Sequence, residues 1–301
     1  MKKIICILLS LVLSCSIIAC AKEQENNSRD TSNTEEIIDK VDRVDKIDTP
    51  NKQDGSVSIA ETVLVDEAGV KITAKSLKSN GDFGPELKVL IENNSETDLV
   101  FDTNSTLING YVIGSFMSAE VNAGKKSNAT IEFYDDELAI SKISTIADIE
   151  ISFEVLTSDY DDYLETEVVQ IKTSAADTYE YVYDDEGEVL YDGNGVKIIA
   201  KGLRKDAVYH ETYFVLYVYN YGDKNITLQA NDVAANGFMI PSYFSVDIPS
   251  DRHAVSSILF SDEDLQEAEI DEITELELSF RLVDTNTWDT ITEVETVKVT
   301  F

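Results

Sequence analysis

The chain has 301 residues, with 58 acidic side chains against 24 basic ones and a net charge of −34. A surface of that sign repels phosphate backbones, which excludes nucleic acid as a partner and leaves cations and basic proteins as compatible ones. The hydrophobic content of 43% is enough for packed cores and excludes a wholly disordered chain.

The chain opens with Lys2 and Lys3, then an apolar run from Ile4 to Ile18, then Ala19 and Cys20. A charged start, an oily stretch and a small residue before cysteine read as an export signal. Ile17, Ile18, Ala19 and Cys20 resemble the lipobox of bacterial lipoprotein signal peptides. In that family a membrane peptidase cuts before the cysteine, whose thiol carries a diacylglyceryl group. The resemblance implies a leader over 1–19, lipidation at Cys20 and attachment to the outer face of the cell membrane. Val12, Leu13, Ser14 and Cys15 form a poorer second candidate with a shorter apolar core. Cys6, Cys15 and Cys20 are all the cysteines present, so the remainder has no thiol pair, thiolate metal site or cysteine nucleophile. Loss of Lys2 and Lys3 leaves 22 cations against 58 acids and moves the charge to −36.

Residues 20–56 are polar, acidic and poor in aromatics, the composition of a flexible spacer. Within them Ile37, Val41, Val44 and Ile47 recur near helical spacing after Thr34, so a short amphipathic helix is the alternative.

An internal repeat organises the rest. Val70 to Ala74 return as Val196 to Ala200, Asn109-Gly110-Tyr111 as Asn236-Gly237-Phe238, and Ile131-Glu132-Phe133 as Ile258-Leu259-Phe260. Ile149 to Phe153 return as Leu276 to Phe280, and Val169 to Ile171 as Val297 to Val299. Apolar residues alternate with polar ones in these blocks, the period of antiparallel strands packed on one face. The expected fold class is all-β, two tandem immunoglobulin-like antiparallel β-sandwiches. They span 57–173 and 188–301, with an acidic, tyrosine-containing linker at 174–187 that is expected to be partly ordered and to add a strand edge. Asn-Gly at 109–110 and 236–237 supplies residues tolerant of positive φ. Ser261 with Asp264 three residues later predicts a capped helical turn, and Asp135 or Asp136 is expected to cap its counterpart. Both turns are read as crossovers between opposite sheets.

The strands ending in Asn93-Asn94 and the glycine turn before Ile131-Glu132-Phe133 resemble immunoglobulin-like modules of secreted and lipid-anchored Gram-positive bacterial proteins. That resemblance implies architecture and an extracellular setting without a ligand or reaction. The antibody-type cysteine pair is absent, and Trp288 lies near the end.

Chemistry is thin. His210 and His253 are the only histidines; neither has catalytic or metal spacing, and both are expected in structural or surface roles. No nucleophile elbow or phosphate loop occurs, and the abundant acids fall in turns and outward positions, so no catalysis is expected. Asp159, Asp161 and Asp162 are the candidate metal residues, for weak calcium. Further acidic clusters occur at 135–137, 184–186 and 262–264, but none has the twelve-residue calcium-loop pattern.

The sharper clue is an asymmetry between copies. Lys88, Leu90 and Glu92 occupy the outward face of one strand, and Val215, Tyr217 and Tyr219 replace them in the second copy, flanked by Tyr213 and Tyr221. Tyr213, Tyr217, Tyr219 and Tyr221 are the candidate binding residues. Packing against the other module or against Tyr179, Tyr181 and Tyr183 is the alternative. Phe238, Met239, Ile240, Pro241, Tyr243 and Phe244 form a second apolar segment, expected to be mostly core with an edge exposed at Pro241. The leading expectation is a lipid-anchored extracellular binding or adhesion protein for an envelope glycan or a protein. A structural envelope component, a calcium-dependent adhesion module and a divergent glycoside hydrolase follow in that order.

Overall fold

A computed structural model describes residues 57–81, 84–206 and 211–301. The leader, Cys20, the whole spacer and His210 lie outside the described residues. Among the described residues nearly every element is a strand, and all strand pairings but one are antiparallel.

The first copy of the repeat contains β1 (Thr62–Glu67), β2 (Val70–Lys78), β3 (Glu86–Asn93), β4 (Leu99–Ile108), β5 (Tyr111–Val112), β6 (Ser115–Phe116), β7 (Ala119–Val121) and β8 (Lys125–Phe133). The short helix α1 (Asp135–Ile140) leads to β9 (Asp148–Thr157), β10 (Asp162–Glu165) and β11 (Val169–Lys172). The second copy repeats this order with β12 (Glu188–Gly193), β13 (Val196–Lys205), β14 (Thr212–Asn220), β15 (Ile226–Ala235), β16 (Phe238–Met239), β17 (Ser245–Ile248) and β18 (Arg252–Phe260). It ends with α2 (Asp262–Glu267), β19 (Glu275–Asp284) and β20 (Thr290–Thr300).

Three sheets result. A five-stranded sheet runs β1-β2-β3-β8-β6, and another is built on β16-β15-β19-β20 with β17 added to β15. Between them a ten-stranded sheet runs β10-β9-β4-β5-β18-β14-β13-β12, with β7 and β11 added to β4 and β9. This shared sheet supplies one layer to each of two apolar cores. One core gathers Leu87, Val89 and Ile91 of β3 with Phe101, Ile149, Ile151 and Phe153, all almost fully buried. The other gathers Phe214, Leu216 and Val218 of β14 with Leu228, Leu276, Leu278 and Phe280. Burying one face of each strand in this way is the dominant stabilising term.

The turns follow from local chemistry. Asn109 and Gly110 adopt φ of 52° and 81°, and Asn236 and Gly237 adopt 49° and 83°, the paired positive values of a tight hairpin. The asparagine side chains also brace the sheet: Asn109 Nδ2 donates to the Thr145 carbonyl, and Asn236 Nδ2 to the Glu272 carbonyl, both at 2.8 Å. Ser261 Oγ accepts from the Asp264 amide at 3.1 Å, as its spacing predicts. The counterpart differs, because Tyr134 takes the cap position of α1 without a side-chain bond and Asp135 and Asp136 fall inside the first turn. Both helices cross between sheets. The linker forms turns but no strand of its own before feeding β12, so the expected extra strand edge is corrected.

Asn93 and Asn220 end β3 and β14 with no exposed surface. Asn220 Nδ2 donates to the Lys224 and Ile248 carbonyls at 2.8 and 2.9 Å, and its Oδ1 accepts from the Gly222 amide at 3.1 Å. Removing such a group strands buried carbonyls. Asn220→Ala is expected to lower the unfolding free energy by about 2 kcal/mol in urea titration, whereas Asn231→Ala at an exposed position should change it by less than about 0.5 kcal/mol.

Candidate functional site

The single parallel pairing joins the two copies. Tyr111 and Val112 of β5 lie opposite His253 and Ala254 of β18, and the His253 amide donates to the Gly110 carbonyl at 3.0 Å. Gly110 suits this place because its φ is 81°, and a Cβ there would also push on the Tyr183 hydroxyl, 2.9 Å away.

Around this contact the aromatic side chains converge. His253 is 6% exposed and stacks between Tyr183, at 3.7 Å between ring centres, and Tyr219, at 4.3 Å. The Tyr217 hydroxyl lies 2.7 Å from His253 Nδ1, and Tyr111 leans on Tyr183 and His253. Burial pushes the imidazole pKa down to about 4, with Arg252 acting in the same direction and Asp251 opposing. Burial likewise raises the Tyr111 hydroxyl to about 12.

Charge clamps surround the aromatics. Arg252 reaches both carboxylate oxygens of Glu150 across the joint at 2.9 and 3.0 Å. Asp184 of the linker bridges Lys142, just beyond α1, at 2.6 Å and Lys201 of β13 at 2.9 Å. Partial burial works against ionisation of Asp184, but the two ammonium groups outweigh it and hold the carboxyl at about 2. Tyr181 donates to Asp148, which ties the linker to β9. A shallow groove of about 500 Å³ runs over this cluster, with Asp148, Glu150, Asp185 and Asp251 on its walls. Each of these carboxylates already has a partner: Tyr181, Arg252, Lys197 and Tyr219 respectively.

The tyrosine strip therefore does not form one binding surface. Tyr217 is 2% exposed and belongs to the core of the first copy together with Ile199 and Val255. For Tyr217 packing against the other module is what the structure shows and an external contact is ruled out, because the first copy covers that face of β14. Tyr219 is half-buried in the same joint, its hydroxyl bonded to Asp251 Oδ1 at 3.0 Å. Tyr213 stands at the other end of β14 with its hydroxyl on Glu211 at 2.6 Å and the Arg204 guanidinium 5.2 Å from its ring centre. Tyr221 is exposed and donates to Asp192 at 2.9 Å. Its ring also meets that of Tyr219.

Asp159, Asp161 and Asp162 lie exposed at the turn from β9 to β10, where the Asp161 amide donates to Thr157 Oγ1 at 3.1 Å and Asp162 pairs with Leu156. Among the described residues no group of three acidic, histidine or cysteine side chains is placed to hold a metal ion.

The surface that sequence reasoning placed mostly in the core is the other candidate. Phe238 is 56% exposed, Met239 66% and Tyr243 86%, while Ile240 and Phe244 between and beside them are buried. Phe238 and Met239 form the edge strand β16, bonded only to β15 among the described residues. A Cβ on Gly237 would meet nothing within 4 Å, in contrast to the crowded Gly110. The signal that separates the two edges is tertiary: β5 has β18 beside it, and β16 has no such neighbour among the described residues.

Comparison with known proteins finds no matching family model and no matching curated protein. Solved structures give weak likenesses. The Amycolatopsis orientalis exo-chitosanase CsxA is 13% identical with a TM-score of 0.24, over 75% of this chain and 26% of the enzyme's length. Red sea bream transglutaminase is 11% identical with a TM-score of 0.23, over 78% of this chain and 31% of that one. A Porphyromonas gingivalis protein of unknown function is 8% identical with a TM-score of 0.20, over 82% of this chain and all of its own length. At these scores none bears on activity.

The joint makes a pH prediction. Burial holds the imidazole pKa near 4 in the folded chain against about 6.5 when unfolded, so stability from its neutral form is complete above pH 6.5 and lost as pH falls towards 4. The loss amounts to at most about 3 kcal/mol. Urea titrations of the parent and His253→Gln are expected to converge as pH drops across that window, whatever the shared response of the other acids.

Proposed function

We propose that this chain is a non-catalytic, lipid-anchored binding protein on the outer face of a Gram-positive cell membrane, held by Cys20. Its second copy of the repeat meets an extracellular protein partner through the β16 edge. The observation that carries this reading is the exposure of Phe238, Met239 and Tyr243 on and beside β16, an edge strand that pairs with β15 alone among the described residues. Large apolar side chains next to open backbone amide and carbonyl groups fit an extended segment of another protein, which takes its hydrogen bonds from the edge and its apolar contacts from the side chains. A glycan is less well served, since Tyr183 and Tyr219 each already give one ring face to His253. The acidic surface favours a partner with basic groups.

Two measurements test it. Cys20→Ser is expected to release the protein from the membrane fraction into the medium, and retention would remove the anchor from the reading. Capture of envelope and secreted proteins is expected to fall at least about tenfold in Phe238→Ser/Met239→Ser and to persist in Tyr221→Ser. Equal capture by all three would refute the edge as the contact.

A further inference from the structure

The joint inside the chain specifies what a partner for the β16 edge looks like. β5 pairs with β4 on one side and with β18 on the other. β16 occupies the position of β5 in the second copy and pairs with β15 alone among the described residues. The strand equivalent to β18 is β8. It is paired with β3 along its length, but on its other side, among the described residues, it meets only β6, at Glu132 and Phe133. The Lys125–Ser127 end of β8 is thus an open receiving edge, and β16 an open donating one. The two elements that meet within the chain are each left over at its two ends.

The charges agree. Arg252 and Glu150 clamp the internal joint, and their equivalents in the repeat are Lys125 and Glu277. Lys125 and Lys126 are exposed, and Lys126 is already paired with Glu92 at 2.7 Å, so the charge that faces the edge is that of Lys125. Glu277 is 41% exposed on its side chain and shares Lys298 with Glu275. The receiving face of the first copy carries Lys88, Leu90 and Glu92 where the second has Val215, Tyr217 and Tyr219, so it lacks the aromatic mortar. A contact there is weaker than the internal one.

We infer that a second copy of this chain docks head to tail, β16 of one copy pairing in parallel with the Lys125–Ser127 end of β8 in the next. Phe238 lies opposite Lys126, Met239 opposite Ser127, and Lys125 faces Glu277 of the neighbour. The contact is heterologous, so each copy leaves the same two edges open and growth continues with concentration. This rests on the reading of β16 as a contact edge and names its occupant.

The test uses the full chain in detergent. Ser127→Cys and Met239→Cys chains are mixed under mild oxidation, and linked peptides are identified by mass spectrometry, which separates the introduced thiols from the native cysteines. Val112→Cys/Ala254→Cys in one chain is the control, since those residues are partners inside the molecule. The expected result is a link between the 127 and 239 peptides of different chains. It is reduced several-fold by Lys125→Glu and recovered when Glu277→Lys is placed in the opposite chain. A control that links while the mixture does not, or a link indifferent to Lys125→Glu, overturns the head-to-tail contact. If envelope-protein capture still depends on Phe238 and Met239 in that event, the edge stands as a binding surface and only its occupant is wrong.

Discussion

The structure depends on one short parallel pairing. Two residues of β5 against two of β18 turn separate layers into a continuous ten-stranded sheet. A contact so small supplies little energy through its hydrogen bonds alone, because each bond replaces one to water. What holds it is the apolar and aromatic material behind it: Tyr217, Ile199 and Val255 enter the core of the first copy, and Tyr183 closes over His253. The ion pairs of Arg252 and Asp184 then fix the register at the rim.

Placing a histidine in that packing has a physical consequence. An imidazole stacked between two tyrosines is stable there only when neutral, since the charged form loses its water without gaining a carboxylate in direct contact. The joint thus carries a titrating element although the chain uses no histidine for chemistry in the proposed function. The tyrosines, too, have a structural assignment here: their hydroxyls reach His253, Asp251 and Asp148, which satisfies polar atoms that the docking would otherwise strand.

The repeat shows how one fold serves two different neighbourhoods. In β3 burial alternates cleanly, with Leu87, Val89 and Ile91 inward and Lys88, Leu90 and Glu92 towards solvent. In β14 that alternation fails at Tyr217, because both faces of the strand are covered. Likewise Tyr111 is buried and its counterpart Phe238 exposed, though both follow the same Asn-Gly turn. The side chains changed with the environment while the backbone did not.

The sequence alone determined the all-β class, the repeat, the Asn-Gly hairpins and the Ser261 cap, because strand alternation, positive-φ turns and capping act within a few residues of each other. It also marked Tyr217 and Tyr219 as a departure from the outward polar pattern, without saying which side of that face met protein. Only the tertiary structure decided this, by bringing residues 111 and 183 onto residue 253. Contacts at such separation are set by which surfaces fit and exclude water, and no local period records them. For the same reason the exposed edge at Phe238 and Met239 reads in sequence like core: hydrophobicity says what a side chain favours, and docking decides whether it is met.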